Sequence, residues 1–345
     1  MSKWYEETEY SGSNVVYSRI RLSRNWDEHP FPSRMSREER QKAVEVLAKG
    51  LRDYAGQDQK GWAYRDFGQM SDLERQSLKE RRILNGTAAS QKEPGGLLLT
   101  ENESRSMILC GDDHMRLQLL GKGLKLDELW RQADQIDDWI NERFPYAFDD
   151  KYGYLTAFPT NVGTGLRACA VLHLPALSRV KKFQSVVADM SRFGTAIRGI
   201  CGEEGDNYGG FYEISNQRTL GLSEREIVEL VTKAALQLNS QENRVRKASL
   251  NTQRKDKEDE AYKSYGVLKY ARKITEKDAR IFLSILMEAE AGGLIHFKRP
   301  VSLYHLIWSS KPANLRIGAD RPLDQEELDE ARAVLIREGL PEISA

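Results

Sequence analysis

The most constraining feature of this chain is a run of small and polar residues between two apolar segments, at positions 158–168. The run reads Phe-Pro-Thr-Asn-Val-Gly-Thr-Gly-Leu-Arg-Ala, so it brings two glycines close to an arginine. Glycine lets backbone N–H groups approach a ligand, and an arginine guanidinium is a planar fork of donors that suits phosphate. The run therefore predicts a tight turn that contributes Arg167 to an anion-binding site.

Composition gives the chain no overall preference for charged partners. Its 345 residues include 52 Lys and Arg and 52 Asp and Glu, so the net charge is zero and any anion site is local. A chain of this length can form two domains with substantial cores. The balance of charge argues against a nucleic-acid-binding or membrane-surface protein.

Cysteine usage and apolar runs predict the compartment. Three scattered cysteines and five histidines provide neither a disulfide framework nor a zinc cluster, so we expect no structural metal site. The N-terminal residues lack an apolar signal segment, and no apolar run reaches the length of a membrane span. We therefore predict a cytoplasmic protein without membrane contact.

Capping and alternation patterns predict an α+β catalytic domain over residues 1–240. Capping boxes begin at Ser36 and at Ser223, and each predicts the first turn of a helix. Apolar runs around Asn102 predict a β-hairpin. Other predicted elements are strands at 97–99, 105–109, 168–174 and 209–214 and helices at 36–54 and 126–144.

A polar segment separates this domain from a small helical domain, predicted over 241–345. Residues 241–260 are nearly all polar and contain neither Pro nor Gly, which favours an exposed helical connector over a flexible linker. Three helical patterns follow the connector. They lie at 275–291, 301–308 and 324–338.

Arginines are the candidates for binding a nucleotide, because the chain has no glycine-rich P-loop and no protein-kinase signature. Residues 18–25 read Ser-Arg-Ile-Arg-Leu-Ser-Arg-Asn, and on a strand Arg19 and Arg21 would point to one face. Two arginines on an exposed strand are commonly solvated surface. This motif alone therefore leaves a structural and a functional interpretation open.

Several segments together resemble the phosphagen (guanidino) kinases, and most closely their bacterial protein arginine kinase branch. The run at 158–164 resembles Cys-Pro-Thr-Asn-(Leu/Val)-Gly-Thr, and residues 18–21 resemble Ser-Arg-(Val/Ile)-Arg. The first motif begins at Ser18, without the preceding helical domain of phosphagen kinases proper. Three further segments resemble family motifs in the same order along the chain. Residues 112–116 resemble Asn-Glu-Glu-Asp-His-Leu-Arg, residues 198–203 resemble Arg-Gly-x-x-Gly-Glu, and residues 214–221 resemble Ile-Ser-Asn…Leu-Gly.

The resemblance implies an arginine clamp for ATP and a carboxylate pair for the acceptor. A guanidinium stays protonated in water at neutral pH, so a nitrogen must lose a proton before it attacks phosphorus. Asp112 and Glu203 match the catalytic carboxylates, which bind the guanidinium and remove that proton. Fixed cations stabilise the charge that develops during transfer, with Mg²⁺ bridging the phosphates. The implied ATP-binding residues are Arg19, Arg21, Arg82, Arg116, Arg167 and Arg198.

Departures from the family pattern affect the acceptor site and the tail. Phe158 replaces the family cysteine near the guanidinium, and Asp112 is one methylene shorter than the family glutamate, so we expect reduced activity. Arg82 stands where relatives have a histidine that packs on adenine. Residues 328–333 resemble the phosphoarginine-binding Arg-Asp-x-x-Arg-Ala motif with Leu328 as the first residue, which leaves Asp329 and Arg332 as candidates. The same segment also fits an amphipathic helix whose apolar face packs on the core.

We therefore predict a phosphagen-kinase-type domain, with a curved and mainly antiparallel sheet flanked by helices, and an all-α C-terminal domain. The predicted activity is transfer of the γ-phosphoryl group of ATP to arginine side chains of proteins, in bacterial stress response and protein quality control. The resemblance implies a homodimer and, as partners, protein substrates with exposed arginines, a zinc-binding activator protein, a stress-response repressor and a Clp-type unfoldase. The alternatives are a weak pseudo-kinase that acts through partner binding and a kinase of a small guanidino compound.

Overall fold

The main β structure is a sheet of eight strands in a computed structural model that describes residues 2–8, 13–57, 61–200 and 207–344. The ten strands of the described chain are β1 (Val15–Arg24), β2 (Trp62–Asp66), β3 (Gly96–Thr100), β4 (Arg105–Leu109), β5 (Met115–Lys122), β6 (Phe148–Asp149), β7 (Gly153–Tyr154), β8 (Leu166–His173), β9 (Thr195–Gly199) and β10 (Phe211–Asn216).

The strand order in the large sheet is β2-β3-β4-β5-β1-β8-β10-β9, and β6 and β7 form a separate hairpin. Antiparallel pairing joins β2 to β3, β3 to β4, β4 to β5 and β1 to β5. The predicted hairpin around Asn102 is the β3–β4 pair. The prediction of an α+β fold with a mainly antiparallel sheet is confirmed.

Each helix that capping and periodicity predicted is present, and the described residues also form five helices that were not predicted. Ser36 and Glu39 exchange hydrogen bonds at 2.8 and 3.3 Å, and Ser223 and Glu226 do so at 2.7 and 3.2 Å, so both capping boxes are confirmed. The helices are α1 (Arg37–Gln57), α2 (Asp72–Glu80), α3 (Gly86–Ser90), α4 (Leu126–Asn141), α5 (Pro175–Ser178), α6 (Phe183–Arg192), α7 (Glu224–Tyr270), α8 (Glu276–Ala291), α9 (Leu303–Ser309), α10 (Pro312–Ile317) and α11 (Gln325–Gly339).

The polar segment predicted as a helical connector lies inside α7, which confirms the helical interpretation. One residue in it, Gln253, has non-helical angles of φ −129° and ψ 27°, so two helical stretches meet there. Short 3₁₀ turns lie at Trp4–Glu6, Pro32–Arg34, Phe67–Gln69 and Pro159–Asn161.

Alternation along β1 gives the sheet two different faces. Ile20 and Leu22 are fully buried and lie opposite Leu119 and Leu117 of β5, so these side chains share one apolar face. Helix α4 packs on β5, and a Cβ atom at Gly121 would meet the side chain of Leu129 at 3.3 Å. The α4 helix therefore covers the apolar face and leaves the arginines on the other.

An apolar cluster covers part of the arginine-bearing face. Ile108 of β4 lies opposite Arg116 of β5 and opposite Leu97 of β3, so all three side chains point to that face. Buried side chains from residues 67–89 pack on this area. They include Phe67, Met70, Leu78, Ile83 and Leu84. This segment forms a wall beside the arginines.

The chain forms two compact units. The first comprises Met1–Trp4, Tyr17–Ala170 and Ser215–Thr232, and the second comprises Tyr5–Val16, Val171–Ile214 and Lys233–Ala345. Each unit combines segments from distant parts of the chain. The predicted domain boundary at residue 240 therefore stays a prediction.

Buried polar groups in the second unit have internal partners. The imidazole Nε2 of His173 lies 2.7 Å from Ser284 Oγ, and the ring packs 4.8 Å from Phe211. The Glu242 carboxylate accepts the backbone N–H groups of Ala176 and Leu177 at 3.1 and 2.8 Å, at the first turn of α5. His173 is thus a core histidine whose ring has a hydrogen-bond partner.

His173 predicts how stability depends on pH. Burial, followed by the charges of Arg246 and Arg179, lowers its pKa from 6.5 to about 3. Below pH 6.5 the unfolded chain binds a proton that the folded chain excludes, so the free energy of unfolding falls as the pH decreases. Urea unfolding between pH 7.5 and 5.5 measures this slope, which His173→Asn should reduce by up to about 1.4 kcal/mol per pH unit. Equal slopes in both proteins would contradict the account.

Candidate active site

Strand pairing brings three of the predicted ATP-binding arginines to one face of the sheet. In the β1–β5 register, Arg19 lies opposite Leu120, Arg21 opposite Gln118, and Ser23 opposite Arg116. Opposed residues of an antiparallel pair point to the same side, so the side chains of Arg19, Arg21 and Arg116 share a face. We call these three residues the arginine face. The predicted shared orientation of Arg19 and Arg21 is confirmed.

Positive charge is concentrated on the arginine face. Burial first, and then the charge of Arg19, lowers the pKa of Arg116 to about 10, while Asp112 and Asp113 raise it. Both arginines still carry a full charge at neutral pH, although Arg19 is only 7% exposed. Bringing like charges together at low exposure is unfavourable without an anion. The face therefore suits a ligand with several negative charges.

Arg167 lies in a turn that is held by hydrogen bonds. Its Nη1 donates to the carbonyl oxygen of Asn216, and its Nη2 donates to Asn161 Oδ1 at 3.4 Å. Asn161 ends the Pro159–Asn161 turn within the run that opened the sequence analysis. The asparagine and the arginine of this run thus contact each other, and the turn orients the guanidinium.

Glycines in the same run are required by close contacts. Gly163 has φ +114°, and a Cβ atom there would lie 2.2 Å from the carbonyl oxygen of Thr219. Gly165 has φ +63°, and its carbonyl accepts the N–H of Ser23 at 3.1 Å. A side chain at either position would push the run away from its neighbours. The run is therefore fixed to the end of β1.

Arg82 lies beside the arginine face through its backbone. Gln118, whose side chain shares that face, donates from Nε2 to the Arg82 carbonyl oxygen at 2.9 Å. Arg82 has φ +64°, an uncommon conformation for a residue with a side chain. It follows α2, and its N–H donates to the Lys79 carbonyl at 3.0 Å. The structure thus places Arg82 next to the predicted phosphate-binding arginines.

Two predicted site residues remain, Arg198 and Glu203. Arg198 lies on β9 in the second compact unit, with an exposed side chain. Glu203, the predicted second carboxylate, lies outside the described residues. The roles of both residues stay predictions.

A cavity brings together Asp112 and Phe158, the two residues that depart from the family pattern at the acceptor site. It has a volume of about 560 Å³, and both residues line it. The Asp112 Oδ2 accepts a hydrogen bond from Asn85 Nδ2 at 3.2 Å. Further lining side chains are Ser33, Arg40, Ser90, Gln91, Lys92 and Glu93. We call this space the acceptor cavity.

Asp113 connects the two sides of the acceptor cavity, and the sequence analysis missed it. Its Oδ1 accepts the N–H of Ala157 at 2.6 Å and the Nδ2 of Asn25 at 2.8 Å. The side chain is buried, and burial raises its pKa while these hydrogen bonds oppose the rise. Asp113 therefore fixes the position of Phe158 relative to Asp112. Its place directly after Asp112 in the motif was the available signal.

The turn that carries Asp112 is held by the buried side chains of Arg40 and Asn25. Arg40 donates to the carbonyl oxygens of Cys110 and of Gly111, the latter at 3.0 Å. His114 donates its backbone N–H to Asn25 Oδ1 at 3.0 Å, and burial lowers its imidazole pKa to about 4. His114 is thus neutral at pH 7 and has a structural role.

The tail candidates lie in α11. Arg332 is fully buried and donates to the carbonyl oxygens of Ser310 and Ile274 at 2.9 and 2.8 Å and to Asp329 Oδ1 at 2.5 Å. Leu328 is also fully buried. These contacts fit the amphipathic-helix alternative, and binding of phosphoarginine by Asp329 and Arg332 stays a prediction.

The described ranges show neither a metal-binding cluster nor a membrane-spanning helix. Within residues 2–8, 13–57, 61–200 and 207–344, no three His, Cys, Asp or Glu side chains are grouped so that they could hold a metal ion. Over the same ranges, no helix combines the length and apolar character needed to cross a bilayer.

Comparison with family models defines the class of the chain. The C-terminal catalytic domain of the ATP:guanido phosphotransferases matches residues 42–245. The C-terminal domain of the protein-arginine kinase McsB matches residues 254–345. Together the two models span most of the chain.

Whole-length relatives define the family more narrowly. The protein-arginine kinase of Desulforamulus reducens is 36% identical over 344 residues, which cover 99% of this chain and 96% of that protein. The protein-arginine kinase of Bacillus subtilis is 37% identical over 343 residues, with 99% and 93% covered. The chain belongs to the protein-arginine kinase family.

Solved structures share the fold. Lombricine kinase superposes with a TM-score of 0.59 at 24% identity, over 70% of this chain and 71% of that one. The substrate-free duplicated taurocyamine kinase from Schistosoma mansoni gives a TM-score of 0.59 at 22% identity, and the chain spans 37% of its length. The predicted phosphagen-kinase-type fold is confirmed.

Asp113 provides a test of how the acceptor cavity is built. Asp113→Ala removes the acceptor of the Ala157 N–H and one of the two acceptors of Asn25 Nδ2, which still donates to the Leu155 carbonyl. We therefore expect a loss of about 1–3 kcal/mol in the free energy of unfolding and a lower phosphotransfer rate. Asp113→Asn keeps the accepting Oδ1 and should retain most of both. Urea unfolding and initial rates measure the two effects. An Ala variant with the native rate would show that Asp113 does not position the cavity.

Proposed function

We propose that this kinase binds ATP on the arginine face and phosphorylates protein arginine side chains in the acceptor cavity, with Asp112 as the base. The observation that carries the proposal is the position of Asp112. It lines a cavity large enough for an arginine side chain, and its charge acts on Arg116 of the arginine face. Donor and acceptor sites thus meet at one carboxylate.

The chemistry follows from the charges of the two substrates. The acceptor is a cation, so a carboxylate both attracts it and accepts the proton that the attacking nitrogen loses. The nitrogen–phosphorus bond forms while the bond from phosphorus to the bridging oxygen breaks, and ADP leaves with the electron pair. Arg19, Arg21 and Arg116 stabilise the negative charge on the phosphoryl oxygens.

Mg²⁺ and the second carboxylate complete the proposed site. Mg²⁺ commonly binds through substrate phosphates and a few carboxylates, so it would enter this site with ATP. When bound, Mg²⁺ would neutralise phosphate charge. We assign Glu203 as the second guanidinium-binding carboxylate, and Arg82, Arg167 and Arg198 as further nucleotide contacts.

The wider biological setting is also part of the proposal. We place the enzyme in the cytoplasm as a homodimer, acting in stress response and protein quality control. Its proposed partners are substrates with exposed arginines, a zinc-binding activator, a stress-response repressor and a Clp-type unfoldase. The helical region after residue 240 would make the dimer contact and bind phosphoarginine through Asp329 and Arg332. Family membership supports these assignments.

The activity test is formation of phosphoarginine by the purified chain with Mg·ATP and an unfolded protein substrate. We expect acid-labile phosphate that maps to arginine residues. Asp112→Asn should lower the rate by roughly 10²–10⁴-fold, because it removes the general base, while ATP still binds. A near-native rate in this variant would exclude Asp112 as the base. Phosphate on other residue types, or none, would refute the activity itself.

The arginine face is tested by ATP affinity. Arg116→Ala removes a charge-assisted contact and should raise the Kd for ATP by about 10- to 150-fold in calorimetry. The matched control is Arg131→Ala, because Arg131 is exposed and pairs with Asp127 at 2.9 Å on α4. Equal affinities in the two variants would remove the assignment.

A further inference from the structure

Phe158 exposes an aromatic ring at the wall of the acceptor cavity. The side chain is 49% exposed, and it shares this cavity with Asp112. Leaving a large apolar side chain in water forgoes stabilisation that burial would provide. A ligand that covers the ring would recover it.

Hydrogen bonds to the backbone fix the turn that carries this ring. The carbonyl oxygen of Phe158 accepts the N–H of Asn161 and the Oγ1 of Thr156, both at 2.9 Å. On the other side, Ala157 donates to Asp113. Because none of these bonds uses the side chain, position 158 tolerates other side chains without loss of the turn.

The charges around the cavity favour a cationic ligand for the ring. Asp112 offers a carboxylate. The guanidinium of Arg40 also lines the cavity, but it donates to four backbone carbonyl oxygens, those of Pro32, Pro94, Cys110 and Gly111. The N–H groups of Arg40 thus point to these backbone carbonyl oxygens. A planar cation can therefore bind the Asp112 carboxylate and cover the aromatic face at the same time.

We propose that Phe158 is a specificity-determining residue whose ring stacks on the guanidinium of the acceptor arginine through a cation–π contact. The inference rests on the proposed function, because it takes the acceptor cavity as the arginine site. An aromatic face attracts a guanidinium electrostatically, and arginine stacks well on rings. Transfer replaces the cation by a phosphorylated group with negative charge, so the attraction is lost in the product.

We expect this contact to persist into the transition state, because the acceptor keeps positive charge until transfer is complete. It then binds substrate and transition state about equally, so its loss should raise KM for the arginine substrate and leave kcat nearly unchanged. Asp112 is expected to behave in the opposite way, since it takes part in proton removal. The split between KM and kcat distinguishes the roles of the two residues.

The experiment compares Phe158→Leu, which removes the ring, with Phe158→Tyr, which keeps it. The control is Phe193→Leu, because Phe193 is a phenylalanine that is 73% exposed and does not line the cavity. We expect Phe158→Leu to raise KM for an arginine peptide by roughly 3- to 30-fold with little change in kcat. Phe158→Tyr should raise KM less than Phe158→Leu does, because the ring is kept, and Phe193→Leu should keep the native KM.

A second measurement separates charge from shape and does not need turnover. Calorimetry gives the Kd of the arginine peptide and of the same peptide with citrulline, a neutral group of the same shape. Phe158→Leu should weaken arginine binding more than citrulline binding. An equal loss for both peptides, or none, would overturn the cation–π assignment. If the native chain forms no phosphoarginine, the proposed function fails, while the peptide comparison still decides the role of the ring.

Discussion

The concentration of like charge on one sheet face is the constraint on which the rest of the structure depends. Pairing of β1 with β5 places Arg19, Arg21 and Arg116 on the same side. Guanidinium groups repel one another, and the fold holds them together because the opposite face of the same strands is buried under α4. The apolar face thus supplies the stability that keeps the three arginines on one side of the sheet.

Buried hydrogen bonds link this face to the acceptor cavity. Asp113 joins the turn before β5 to the backbone at Ala157, and Asn25 joins the same turn to the end of β1. Removing one partner of such a buried network leaves other groups unsatisfied. The arginine face, Asp112 and the acceptor cavity are therefore positioned by the same few contacts.

Local patterns predicted the elements, because caps and alternation are properties of neighbouring residues. The capping boxes at Ser36 and Ser223, the shared face of Arg19 and Arg21, and the helix through the polar connector could all be read from the sequence. The role of Asp113 could not, since its partners lie 88 and 44 positions away along the chain. The burial of Arg332 also depends on distant carbonyl groups. A sequence motif can contain such residues, but their contacts with distant parts of the chain are seen only in the folded structure.

The central claim is that the arginine face and the acceptor cavity form the working site. Hydrogen exchange measured by mass spectrometry tests it directly, on the native chain with and without Mg·ATP and an arginine peptide. The account predicts slower exchange at residues 110–116 and 157–167 when both ligands are present, with residues 126–141 of α4 unchanged. Protection confined to other segments, with no change at 110–116 and 157–167, would contradict it.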